Sequence, residues 1–209
     1  RDDEVRASDC ETFKYTAGDG HVLDTNLGGY VPVTEERFLN RRRDIYRINR
    51  KLFEAGCLVL TLGHVEAWYD RKNCVYVQEY PNSPRLFPDG DDRFELHVLD
   101  YETCRLHLVS AIERIWSINP DLHVLMTTSP VPMGRTFTDQ DVIVQNTYSK
   151  SLLRAVAGAI AANYPAVDYF PSYESVVLTK SWDIWGANKT HVSDEFVGKI
   201  VQRLEDFYV

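Results

Sequence analysis

Long apolar runs are absent from this sequence. No stretch approaches the roughly 18 residues that a membrane-spanning helix needs, and no signal-peptide pattern precedes the acidic opening residues. Positive charge is short: 23 Lys and Arg stand against 31 Asp and Glu, a formal charge of −8. That balance argues against a nucleic-acid partner, because such binding rests on cations set against phosphates. One basic cluster, RRRDIYRINRK at 41–51, reads as the solvated face of a helix. Cysteine is scarce as well. Cys10, Cys57, Cys74 and Cys104 form no CxxC pair and have no metal-ligand spacing. They suit a reducing, cytoplasmic compartment, with Cys57 read as a small buried hydrophobe at the head of an apolar run. Neither a metal nor a cofactor is expected, and no internal repeat is visible.

What is present points to a globular domain. The 209 residues are 44% hydrophobic and 26% charged, enough to bury a sizeable core. Residues 1–33 are polar and turn-rich and read as an irregular segment, leaving 34–209 as the domain. Thr34 looks like an N-cap, with Phe38, Ile45, Ile48 and Leu52 at helical spacing and Gly56 closing the segment. CLVLTLG then reads as a strand buried on both faces. CVYVQEY suggests a hairpin ahead of a loop rich in Pro, Gly and Asp. A helix starts near Asp100, LHVLMTT is a second strand, and Thr138 is expected to cap a long helix to about Asn163. AVDYF is a third strand, and a last helix runs from Ser193 to about Phe207.

Helices alternating with buried strands predict a three-layer αβα fold with a mostly parallel sheet, flavodoxin-like in its winding. In such sheets ligands bind beyond the carboxyl ends of the strands. TLGHVEAW, TTSPVP and YFPSYE lie at those ends, and they are the least generic pieces of the chain. THVS, before the last helix, is placed to join them.

Five segments carry a resemblance. TLGHVEAWYD (61–70), NPDLHVLMTTSPVPM (119–133), NTYSKSLLRAVA (146–157), VDYFPSYESV (167–176) and THVSDEF (190–196) together resemble the GSCFA family. That family in turn looks like the SGNH hydrolases, α/β esterases and acyltransferases with a serine nucleophile. The resemblance covers roughly residues 30–207. It implies an esterase or O-acyltransferase acting on a small-molecule or carbohydrate ester, with no nucleic acid or membrane as partner. A non-catalytic binder on the same scaffold is the alternative. A subunit of an oligomer or larger complex, with 69–95 as contact surface, is a third.

The family's Gly-Ser-Cys-Phe-Ala segment, which carries its presumed serine, is not in this sequence. The expectation is a strand and serine upstream of Arg1, with Ser8 in RASDCETF the weaker candidate. The SGNH block Gly-x-Asn-Asp would fall on Gly63, His64, Val65 and Glu66. Val65 cannot donate to an oxyanion, a contact worth around 3 kcal/mol in such enzymes, so His64 or a backbone N–H must replace it. Glu66 either matches a family acid or caps a helix beginning at AWYD.

By the resemblance His191 is the catalytic base, beside the positive end of the last helix. Asn188 stands where an aspartate is usual, and in the Ser-His-Asp template that exchange lowers turnover by about 10⁴. Asp183, Glu66 and Glu174 are substitute acids. Asn146, Lys150 and Arg154, with Ser149 alongside, share a helix face at spacings of four. They are a solvated face, a site for an anionic or sugar substrate, or an anchor for YFPSYE. Tyr173 and Glu174 contact substrate or fix the rim. Ser129, with Pro130 and Pro132 close behind it, shapes a turn. His97 shows no partner, and His21, His107 and His123 read as structural.

Overall fold

A computed structural model describes residues 10–28, 31–78, 86–87, 90–180, 184–188 and 190–208. The chain divides into two compact units, Ala55–Val65 with Asp100–Val209, and Arg1–Glu54 with Glu66–Leu99.

The larger unit is a parallel sheet flanked by helices, the three-layer αβα architecture expected. Its strands are β3 (Cys57–Leu62), β7 (His123–Thr128) and β8 (Val167–Tyr169), in the order β3-β7-β8. Register runs from Cys57 opposite His123 to Leu62 opposite Thr128, and Val124 faces Val167. The central strand β7 is buried from Val124 to Thr128, as its apolar run requires. β3 departs from the expectation of burial on both faces. Among the described residues it lies at the sheet edge, with Cys57 exposed and Val59 50% exposed. Period-two alternation, which the uninterrupted apolar letters conceal, governs this strand.

The helices follow their caps. In α2 (Tyr101–Trp116) the Asp100 carboxylate accepts from Thr103 N at 2.8 Å. The long α3 (Val142–Asn163) is capped by Asp141, which accepts from Ile143 N at 2.7 Å. Thr138 instead accepts from Gln140 N in the preceding loop, so the expected cap sits three residues early. α3 buries Leu153, Val156, Ala157 and Ile160, and it packs on β7 and β8. Each of its large aliphatic residues contributes about 1.5–3 kcal/mol by leaving water. α4 (Ser172–Val177) packs on β7, and α5 (Asp194–Tyr208) ends the unit. The α2 exit is tied to the start of β3: Asn119 Nδ2 donates to Ala55 O at 2.9 Å.

The other unit is antiparallel. β1 (Lys14–Thr16) and β2 (Val22–Asp24) form a hairpin inside the segment read as irregular, turning at Gly20 with φ +84°. Strands this short carry too few residues to display alternation. β4 (Glu66–Asp70), β5 (Val75–Val77) and β6 (Phe94–Val98) make a sheet of order β5-β4-β6, which includes the hairpin expected near CVYVQEY. Glu66 therefore opens a strand opposite Val98 and caps no helix. Tyr15, Ala17, Leu23, Val77, Phe87 and Phe94 form the core. Beside it Asp70, fully buried, takes a two-pronged hydrogen bond from Arg93 at 2.9 and 2.7 Å. The helix α1 (Glu35–Arg50) is capped by Thr34, and most of its basic cluster is exposed.

Candidate functional site

The carboxyl ends of β3, β7 and β8 lead into three loops, and one face of α3 holds a residue for each. Asn146 Oδ1 accepts from Met133 N at 3.0 Å, fixing the loop after β7. One turn on, Lys150 Nζ donates to Gly63 O at 2.9 Å, fixing the loop after β3. One turn further, the Arg154 guanidinium pairs with Glu174 and lies 3.9 Å from the centre of the Tyr169 ring. Tyr169 OH donates to the other Glu174 oxygen at 2.9 Å, closing a three-membered clamp after β8. Spacings of four put these side chains in a row along the helix, which fastens the loops after β7, β3 and β8 in turn.

Lys150 is 1% exposed, and a carbonyl is its hydrogen-bond partner. Burial lowers its pKa from the ordinary lysine value to about 8. Burial likewise pushes the Tyr169 hydroxyl up to about 12, with Glu174 as its acceptor adding to the shift. Gly158 gives the Arg154 side chain room: a Cβ there would stand 2.6 Å from Nη1.

Ser149 adds a second fastening to the loop after β3. Its hydroxyl, fully buried, accepts from Val65 N at 3.4 Å. Gly63 and Val65 are thus both held by α3, and His64 between them is exposed. Val65 is fully buried with its N–H committed to Ser149, so neither its side chain nor its N–H is offered to a ligand. His64 is the outward-facing group of the loop.

His191 is placed differently. Its loop is an antiparallel pairing in which Ser193 N donates to Ile184 O at 2.7 Å and Gly186 N to His191 O at 2.8 Å. Asn188 and His191 touch, with Nδ2 2.8 Å from Nδ1. Asn188 Oδ1 accepts the backbone N–H groups of Thr190 and His191, both at 3.0 Å. Among the described residues, the hydrogen bonds of His191 stay inside this loop.

The structure thus joins Gly63 with Lys150, Arg154 with Glu174, and Asn188 with His191, while Asn146 takes Met133. Tyr173 is half-buried in α4. Glu66 belongs to the other unit. Ser8 and Asp183 lie outside the described residues. Ser129 Oγ accepts from Val131 N at 3.2 Å, the turn role expected of it. His97 has a partner the sequence did not reveal, Tyr76 OH at 3.1 Å from Nδ1. Tyr169 and Met133 were missed as members of the clamps. No spacing signals Met133, whose backbone is what Asn146 uses.

A three-strand parallel sheet flanked by helices, with its rim loops latched by one polar helix face, defines a three-layer αβα domain. The GSCFA family matches residues 11–204, and the chain belongs to that family. Searches of curated proteins and of solved structures give no match. No helix among the described residues is long and apolar enough to cross a membrane.

Proposed function

We propose that this chain is an SGNH-like esterase or O-acyltransferase domain acting on an acylated substrate such as a carbohydrate ester. The observation that carries the reading is the loop after β3: Gly63 and Val65 are fastened to α3 and His64 is exposed between them. A fixed donor at the carboxyl edge of a parallel sheet suits an ester carbonyl, whose oxygen gains charge as it is attacked. In this reading His64 meets that oxygen and His191 handles the proton of a serine supplied from outside the described residues. Asn146, Lys150, Arg154, Tyr169 and Glu174 keep the loops in place, which favours a supporting role for them over direct contact with an anionic substrate.

The test is turnover of acetyl and longer acyl esters by the full natural protein. His64→Ala and His191→Ala are each expected to lower kcat/KM by at least about 100-fold. Wild-type turnover in both variants sinks the reading.

A second reading, a non-catalytic binder on the same scaffold, draws on Val65, which is aliphatic and fully buried where an SGNH enzyme places its asparagine donor. Binding of carbohydrate esters without labelling by a fluorophosphonate serine probe is the outcome expected of it.

A further inference from the structure

We propose that Asn188 sets the tautomer of His191, holding the neutral ring with its proton on Nε2. Asn188 Oδ1 accepts two backbone N–H groups, from Thr190 and His191, each at 3.0 Å. Turning the amide over would aim its NH₂ at both of those donors, so the chain itself fixes which end is oxygen. Thr190 Oγ1 donates to Asn188 O at 2.9 Å and steadies the same turn.

With Oδ1 committed, the atom 2.8 Å from His191 Nδ1 is Nδ2, a donor with no lone pair to offer. Nδ1 must accept, so it carries no proton. A neutral imidazole has one N–H, and that proton sits on Nε2. Among the described residues Nε2 has no hydrogen-bond partner, and the side chain is exposed. The ring therefore offers an N–H outward, to an oxygen acceptor such as an ester carbonyl.

This inverts the arrangement of a Ser-His-Asp site. There the carboxylate accepts from Nδ1–H and leaves a lone pair on Nε2 to take the serine proton. Here Asn188 is a positioning residue that disfavours the base and favours the donor. An aspartate at 188 retains one oxygen for the backbone turn and presents a second oxygen to Nδ1. Replacing a single NH₂ by O moves the ring proton to Nδ1. The consequence for rate rests on the ester reading above; the tautomer itself does not.

The test is a long-range ¹H–¹⁵N correlation spectrum of the full natural protein labelled at histidine. It is recorded near pH 8.5, about two units above the ordinary imidazole value. The His191 ring is assigned by its loss in His191→Gln. A proton on Nε2 is expected in the wild type and on Nδ1 in Asn188→Asp, which preserves the turn. A wild-type ring protonated on Nδ1 overturns the proposal, and so does an Asn188→Asp ring still protonated on Nε2. On acyl esters Asn188→Asp is expected to raise kcat by between about 10²- and 10⁴-fold with little change in KM. Equal kcat in two active forms overturns the assignment of Asn188 as a brake on the base. If the tautomer moves as expected and neither form cleaves any ester, Asn188's control of the ring stands and the ester reading falls.

Discussion

The loop after β3 and the loop carrying His191 present a histidine by opposite means. His64 is positioned from a distance: its two neighbours are fastened to side chains 84 and 87 residues away in sequence, both buried. His191 is positioned locally, by Asn188 three residues earlier and by backbone pairing within its own loop. The first arrangement ties a functional group to the packing of the domain. The second leaves it dependent on a few exposed hydrogen bonds, which water replaces at small cost. Damage to the first should destabilise the domain, and damage to the second should change chemistry alone.

Lys150→Ala tests this contrast with the largest expected effect. It removes a buried four-carbon stem and the bond to Gly63 O, and is expected to cost about 2–4 kcal/mol in urea denaturation. A loss below about 1 kcal/mol would detach the loop from the helix energetically.

Lys150 also predicts a pH dependence. Its folded pKa of about 8 lies below the ordinary value of 10.5, so between those limits the unfolded chain binds more protons. Stability therefore rises with pH across that window, by up to about 3 kcal/mol, and gains nothing from this group below pH 8. Unfolding measured from pH 7 to 10.5 should show a rise in the wild type that Lys150→Met lacks. Parallel curves would mean the ammonium is not desolvated.

Ser149→Ala is milder. It leaves the Val65 N–H buried without its acceptor, for about 1 kcal/mol, the lower end of the range because the bond is long at 3.4 Å. Smallest is Asn188→Ala, expected to shift stability by about 0.5 kcal/mol or less because its turn is exposed. A loss as large as that of Lys150→Ala would erase the distinction between the two loops.

Much of the fold was legible because it rests on local signals. Thr34, Asp100 and Ser193 announced helix starts, and LHVLMTT announced the strand that the structure places at the centre of its sheet. Thr138 misled because a capping residue type occurs at both 138 and 141, and only the backbone path selects between them. Cys57 misled because an apolar run does not say whether its strand is central or at an edge. The stripe of Asn146, Lys150 and Arg154 was visible as spacing, yet its partners were not. They stand 13, 87 and 20 residues away, and proximity of that kind belongs to the fold. At Asn188 the contact with His191 was foreseeable and the direction of its amide was not, since two backbone N–H groups decide it.

Gly158 carries a consequence for how this family can vary. A glycine inside a long helix costs about 1 kcal/mol relative to alanine, so helix stability alone would favour replacing it. The Arg154 guanidinium occupies the space a methyl group would need, 2.6 Å from that methyl's position. Alanine at 158 would return the helix propensity while displacing Arg154 from Tyr169 and Glu174. The gain and the loss oppose each other, so a change at either position is judged against the residue at the other. Positions 154 and 158 are then expected to evolve as a pair, arginine keeping company with glycine and larger residues at 158 appearing where the arginine is gone.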